Sequence, residues 1–156
     1  YAAGAVPFHG GQMAVRMGTF GSESSISGVR SVTVNIERPH DAAAYTAGQS
    51  GLKLEPVLNG LANITVSIEA DWLDKATFQD LAHATSATSF VWEFTGATIS
   101  GANVQTFRVT LPSIHFDPVT QGVPGPDALT ATWTAVWRFD GTNLPVITTI
   151  SADTAL

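Results

Sequence analysis

The residues of this sequence with the greatest chemical potential are carboxylates close to aromatic side chains. Glu69 ends one alternating segment and Glu93 lies within another. A glycosidase needs two carboxylates a few ångströms apart beside a ring on which a sugar can stack. Glu69 and Glu93, near Trp72 or Trp92, are the candidates for that chemistry. Three further acids follow Glu69: Asp71, Asp74 and Asp80. The alternative, which we favour, is that these acids cap a helix and that Glu93 lies on a solvated strand face.

Other catalytic and ligand-binding signatures do not occur in the sequence. The chain has no Cys, and its four His are scattered: His9, His40, His83 and His115. A zinc or di-iron site therefore has no support. No nucleophile elbow and no glycine-rich phosphate loop is present. The sequence predicts a protein without metal or cofactor, and favours one that is not an enzyme.

Four tryptophans could bind a ligand by stacking: Trp72, Trp92, Trp133 and Trp137. Three of these, all except Trp72, are in phase with apolar residues of alternating segments, which favours packing in a core. Exposed tryptophans would instead indicate a β-sandwich module that binds carbohydrate or a host surface. That module is the alternative function.

The elements that must position these side chains are mainly strands, because apolar and polar residues alternate with period two. Seven strands are predicted, at 12–20, 31–37, 63–69, 90–95, 107–111, 129–139 and 146–150. Strands with one apolar and one polar face form an antiparallel β-sandwich or barrel. One segment, 71–85, has helical spacing instead, with Asp71 as a candidate N-cap. It predicts one α-helix flanking the sheet.

Two long segments interrupt the strands. Residues 38–60 are too long for a simple connection, so they extend the flanking strands as a long hairpin or form an arm that orders against a partner. Residues 117–127 are rich in Pro and Gly. No linker or repeat is visible, so we expect one domain over 1–156, with an N-terminal extension at 1–11. Because the chain begins with Tyr1, we expect a processed chain or a piece of a longer one.

The composition points to a subunit that assembles. Only 13% of the 156 residues are charged, and the formal net charge is −6. An ordinary soluble domain has about 25% charged residues, so neutral polar residues must cover much of this surface. Such a surface is cheap to desolvate, and the cores of interfaces are depleted in charge. Seven basic residues without a cluster argue against a protein that grips nucleic acid by charge. No stretch approaches about 18 apolar residues, so no membrane helix is expected.

The order of these features is clearest in VTVNIE…LANITVSIEADWLDKATFQDLA…FDPVTQGVPGPDALTATWTAVWRFDG, within about residues 11–151. Over this range the sequence resembles the tail tube (major tail) proteins of long-tailed bacteriophages. The resemblance implies a β-sandwich with a flanking helix, and a long hairpin or loop that contributes to an oligomeric β-barrel tube. It also implies self-assembly into stacked rings, with hexamers expected, in the phage tail. The implied partners are the tape measure, the terminator and the distal tail ring, and DNA transits the lumen without specific binding.

The resemblance and the alternation together predict which residues face the lumen. A conduit for DNA should present neutral and acidic side chains, because Lys and Arg would hold the phosphates. The predicted lumen-facing residues are Thr33, Asn35, Glu37, Asn63, Thr65, Ser67 and Glu69. The segment 38–60 is the predicted inter-subunit loop, with Arg38, Tyr45, Leu52, Leu54, Val57 and Leu58 as its contact residues.

Overall fold

A computed structural model of the chain describes residues 7–41, 57–71, 80, 86–117 and 130–151. A short 3-10 helix at Gly10–Gln12 comes before the first strand. The described part contains ten strands: β1 (Met13–Thr19), β2 (Ser22–Ile26), β3 (Val29–Glu37), β4 (His40–Asp41), β5 (Val57–Leu58), β6 (Asn63–Asp71), β7 (Thr88–Ser100), β8 (Asn103–Phe116), β9 (Thr130–Trp137) and β10 (Val146–Ile150). The prediction of a mainly β protein is confirmed.

Eight of these strands form one antiparallel sheet. Its order is β2-β1-β7-β8-β9-β6-β3, and β10 also pairs with β8. The short strands β4 and β5 pair with each other in a separate ribbon. Consecutive strands are therefore often not neighbours: β6 lies between β3 and β9, which is far along the chain.

Pro112 marks the place where β8 changes partner. Residues 106–110 of β8 pair with β10, whereas Ile114–Phe116 pair with β9. The register with β7 shifts over the same stretch, because Phe90 pairs with Leu111 and Thr88 with Ile114. Proline has no backbone N–H and is found at bulges and edges of sheets. The predicted strand at 107–111 thus covers only the middle part of a longer, irregular strand, Asn103–Phe116.

Apolar residues from both halves of the sheet meet in one buried cluster. Val15, Phe90 and Leu111 come from β1, β7 and β8, while Val66 and Trp133 come from β6 and β9. Burial of such side chains contributes about 25 cal/mol for each Å² removed from water. In β6 and through most of β9, the residues between the buried ones are polar and lie on the opposite side of the sheet.

The sheet does not close into a barrel within the described part of one chain. Its outermost strands, β2 and β3, are joined by two residues, and no ladder pairs them. Gly28 has a φ of 78° at this corner, and its carbonyl accepts a hydrogen bond from the Asp71 N–H at 2.9 Å. The predicted helix at 71–85 lies outside the described residues apart from Asp71, which ends β6, and Asp80. It stays a prediction.

Two parts of the sheet were not predicted from the sequence. Strand β2 has the sequence SESSI, which lacks apolar alternation, yet it pairs with β1. Its Glu23 accepts a hydrogen bond of 2.6 Å from the hydroxyl of Ser89 in β7. The hairpin of β7 and β8 also continues past the core to a turn at Gly101, whose φ of 58° suits glycine. The tip of this hairpin is mostly exposed, so its residues show no apolar alternation from which the strands could be predicted.

Candidate functional site

The outward side chains of three neighbouring strands, β3, β6 and β9, form a continuous surface that we call the polar face. It consists of Ser31, Thr33, Asn35, Glu37, Asn63, Thr65, Ser67, Glu69, Asp71, Thr130, Thr132, Thr134 and Val136. Arg30 of β3 joins it through its ion pair with Asp71. Cross-strand pairs set its rows, since Thr33 pairs with Ser67, and Ser67 pairs with Thr134 on its other side. The structure therefore brings all seven predicted lumen-facing residues onto one surface.

The side chains of the polar face point outward because the residues between them on the same strands are buried in the core. In β6, Ile64, Val66, Ile68 and Ala70 are buried between the polar residues. In β9, the buried residues that alternate with threonines are Ala131, Trp133 and Ala135. A slip of one residue would exchange the two faces of a strand. Burial of these side chains therefore fixes the register that displays the polar face.

Hydrogen bonds hold the three carboxylates of the polar face against the sheet. Asn35 Nδ2 donates to Glu37 Oε1 at 2.9 Å, and Ser31 Oγ donates to Glu69 Oε2 at 3.1 Å. Asp71 Oδ1 accepts from Arg30 Nε at 2.7 Å. Arg30 is the one basic residue of β3, β6 and β9. The surface is thus neutral or acidic, with its single cation in an ion pair.

The acid pair that a glycosidase would need does not form. In the sheet order, β8 and β9 separate β7, which has Glu93, from β6, which has Glu69. The carboxylate of Glu69 is bound by Ser31, whereas that of Glu93 is bound by two arginines. The two groups have different partners on different strands, so they cannot act together on one bond.

The expectation that Glu93 lies on a solvated strand face is also wrong. Glu93 is only 6% exposed. Arg108 Nε donates to its Oε2, Arg16 Nη2 lies 3.4 Å from its Oε1, and Thr95 Oγ1 donates at 3.1 Å. Burial raises the pKa of Glu93, but the hydrogen bonds from Arg108 and Thr95 and the charges of both arginines outweigh it and lower that pKa. Its pairing indicates a structural role.

The described tryptophans contribute to the core instead of a binding platform. Trp133 is 1% exposed. Trp92 packs edge-on against Phe94 and Phe107, with ring centroids 5.4 and 6.0 Å apart. Trp137 packs against the core, and its ring centroid lies 6.4 Å from that of Phe139. Trp72 lies outside the described residues. A sugar-stacking site therefore has no support from the three rings that are described.

No group of His, Cys, Asp and Glu that could hold a metal ion occurs in the described ranges. Within the same ranges, none of the helices has the length and apolar character needed to span a membrane.

The predicted inter-subunit loop is described only at its two ends. Arg38 is exposed just after β3. Val57 and Leu58 form β5, which pairs with His40 and Asp41 of β4. The N–H of Asn59 donates to the carbonyl of Pro39 at 3.0 Å, which reinforces this short ribbon. The two described ends of the segment therefore pair with each other as an antiparallel ribbon. Three of its predicted contact residues lie outside the described residues: Tyr45, Leu52 and Leu54.

Sequence reasoning missed several members of the polar face. The threonines of β9 were visible in the alternation, but their place beside β6 depends on a pairing between distant segments. Ser31 lies one alternate position before Thr33, the first predicted lumen-facing residue of β3, and it pairs with Glu69. Arg30 is the clearest omission: it is out of phase with the polar residues of β3, so no periodic signal could have found it.

Open strand edges are the second surface feature. The strands β2 and β3 lie at the ends of the sheet, and β10 pairs with β8 alone among the described strands. β10 has no charged residue, and its Val146 and Ile147 are 52% and 54% exposed. An unpaired edge with apolar side chains is a ready site for pairing with another chain.

Comparisons with known proteins agree with this fold. The sequence profile of the family described as phage tail tube protein matches residues 1–136. A solved structure titled as the tail of an empty gene transfer agent (GTA) particle with C6 symmetry has a TM-score of 0.54 and 11% identity, covering 92% of this chain and 98% of that chain. A chain in the virion of a native GTA particle has a TM-score of 0.51 and 11% identity, covering 90% and 98%.

None of the curated proteins matches this chain. The family match spans most of the sequence, and at 11% identity the two solved structures show the shared fold. The chain belongs to the phage tail tube protein family, and it is a structural subunit of the phage tail rather than an enzyme.

Proposed function

We propose that this subunit assembles into rings of six that stack as a hollow tube, with the polar face lining the lumen through which DNA leaves the virion. The observation that carries the proposal is the polar face itself. It is a broad surface of neutral and acidic side chains, backed by the core, and it extends to the open edge of β3. Strands of neighbouring copies would continue it around the tube as an oligomeric β-barrel.

The chemistry of the polar face suits the passage of DNA. Duplex DNA carries one negative charge for about every 1.7 Å of its axis, and basic side chains bind it by displacing counterions. The threonine, serine and asparagine side chains of this surface offer no net charge, and Glu37 and Glu69 repel phosphate. A lumen lined in this way holds DNA weakly at every step, so that the DNA can slide.

Subunit contacts would use the open edges and the long loop. Exposed Val146 and Ile147 on β10 are suited to burial against a second copy, because they sit on an edge without charge. The loop 38–60 would reach a neighbouring subunit from its hairpin base at β4 and β5. Its contact residues would be Arg38, Tyr45, Leu52, Leu54, Val57 and Leu58.

The number six rests on the similar fold of the GTA tail, whose title gives C6 symmetry. The chain would act as one domain, with 1–11 as an N-terminal extension and a helix at 71–85 flanking the sheet. Other tail proteins would meet the tube at its interior and its ends: the tape measure, the terminator and the distal tail ring.

Electron microscopy of the purified protein at rising concentration tests this proposal. We expect rings with sixfold averages and tubes with an open centre. Ile147→Lys adds a charge on the edge of β10, so we expect a folded protein that forms no tubes. Thr142→Lys adds the same charge on an exposed turn and is the matched control, expected to form tubes.

Two results would contradict the proposal. The first is a wild-type chain that stays monomeric at high concentration. The second is normal tube formation by Ile147→Lys, which would remove β10 from the interface. Circular dichroism of both variants separates a loss of assembly from a loss of folding.

A further inference from the structure

The single cation of the polar face reaches it through an irregularity in β3. In strict alternation, residue 30 would be in phase with Val32 and Val34, whose side chains pack against the core. The register shifts between Val29 and Ser31, which pair with Ala70 and Glu69. Two residues of β3 thus lie opposite one residue of β6, as in a β-bulge, and a bulge re-aims a side chain. Arg30 is the extra residue.

The guanidinium of Arg30 is held by a residue of the neighbouring strand. Its Nε lies 2.7 Å from Oδ1 of Asp71, and the two side chains are 51% and 37% exposed. Asp71 has the same phase in β6 as Glu69, so the pair lies on the polar face. A guanidinium in this position is open to solvent and to any anion that passes over the face.

We propose that Asp71 is a positioning residue that keeps Arg30 from binding the DNA that crosses the polar face. This inference rests on the proposed function. An unpaired guanidinium binds phosphate oxygens through two parallel hydrogen bonds, which is the strongest contact this face could make with DNA. Asp71 occupies the donor at Nε, and its own charge repels phosphate nearby. In a tube, each subunit would repeat the pair along the path of the DNA.

The variant Asp71→Asn tests this role with little other change. Exposed ion pairs contribute little to stability, so the fold should remain. Asn also serves as an N-cap, so a helix that begins after residue 71 would keep its cap. Glu69→Gln is the charge-matched control, because it removes one negative charge from the same surface and leaves the ion pair of Arg30 and Asp71 intact. The double variant Arg30→Gln/Asp71→Asn removes the cation that Asp71→Asn leaves without its counter-charge.

The measurement is the retention of a short, fluorescently labelled DNA duplex by sedimented tubes over a range of salt concentrations. Fluorescence anisotropy with unassembled protein repeats it where the polar face is open. We expect weak retention by wild type and by Glu69→Gln, and stronger retention by Asp71→Asn. Each released arginine that contacts a phosphate should steepen the slope of log affinity against log salt by about 0.9. The double variant should return to the wild-type level.

Equal retention by Asp71→Asn and Glu69→Gln in both assays would overturn the inference, because net charge alone would then explain the result. So would strong retention by the double variant. The failure of the proposed function looks different, since it appears as the absence of rings and tubes in wild type. The anisotropy of unassembled protein still reports on Arg30 in that case.

Discussion

Replacing Glu93 by Gln removes the charge from a carboxylate that the fold buries between two arginines. Arg108 and Thr95 donate to it, and Arg16 lies at 3.4 Å. The amide of Gln keeps nearly the same size and one acceptor oxygen, so little packing is lost. The experiment therefore measures what the charge contributes to the free energy of unfolding.

The size of the effect follows from these contacts. A hydrogen bond to a charged group contributes about 1.5–3 kcal/mol. Arg16 and Arg108 are 35% and 43% exposed, so water compensates part of their loss. The Arg16 contact at 3.4 Å is also longer than a normal hydrogen bond. We expect Glu93→Gln to lower the free energy of unfolding by about 2 kcal/mol, which is a fall in Tm of about 4–8 °C for a domain of this size.

The pH dependence gives an independent check on the cause. The pKa of Glu93 is lowered in the folded protein, because its hydrogen bonds and the two arginines outweigh the effect of burial. A lowered pKa contributes stability that is present above the ordinary glutamate pKa and is lost as the pH falls through the folded-state value. The gap between wild type and Glu93→Gln should be full at neutral pH and close in acid.

Urea unfolding followed by circular dichroism at several pH values measures both quantities. Glu37→Gln is the control, because Glu37 is exposed and its replacement should change stability by less than about 0.5 kcal/mol. Equal stability of wild type and Glu93→Gln at neutral pH would refute the reasoning. A gap that stays constant down to strongly acidic pH would refute the assignment of the effect to the charge.

Two further predictions concern the core behind the polar face. Trp133→Ala empties a site that is 1% exposed, so we expect a loss of about 3–5 kcal/mol in urea unfolding; a loss below about 1 kcal/mol would contradict the burial. The neighbours Thr65 and Val66 point to opposite faces of β6, so Val66→Asp should prevent folding, whereas Thr65→Asp should leave a folded chain by circular dichroism. Similar behaviour of the two Asp variants would show that the register of β6 is wrong.

Much of the candidate surface could be predicted because alternation is a local property of a strand. Residues two apart share a face in any sheet, so Thr33, Asn35 and Glu37 had to lie together, as did Asn63, Thr65 and Ser67. The strand at 146–150 also matches β10 residue for residue. Strand β2 could not be found in the same way, because SESSI has no apolar face and forms through its pairing with β1.

The order of the strands in the sheet could not be predicted from the sequence. Alternation within one strand does not predict which other strand will pair with it. Pairing between distant segments depends on how the whole core packs. The position of β6 between β3 and β9 therefore came from the folded chain, and with it the threonines of the polar face. The tertiary structure also decided the burial of Glu93, because the alternation of residues in β7 does not predict which side chains cover Glu93.

The residues of the chain thus specify two-faced strands, a low share of charged residues and a face of neutral and acidic side chains, because these depend on composition and period alone. The folded chain adds the order of the strands, the open edges and the bulge that turns Arg30 toward Asp71. These features depend on contacts between segments far apart in the chain, where packing of the core selects one arrangement among many with the same local pattern.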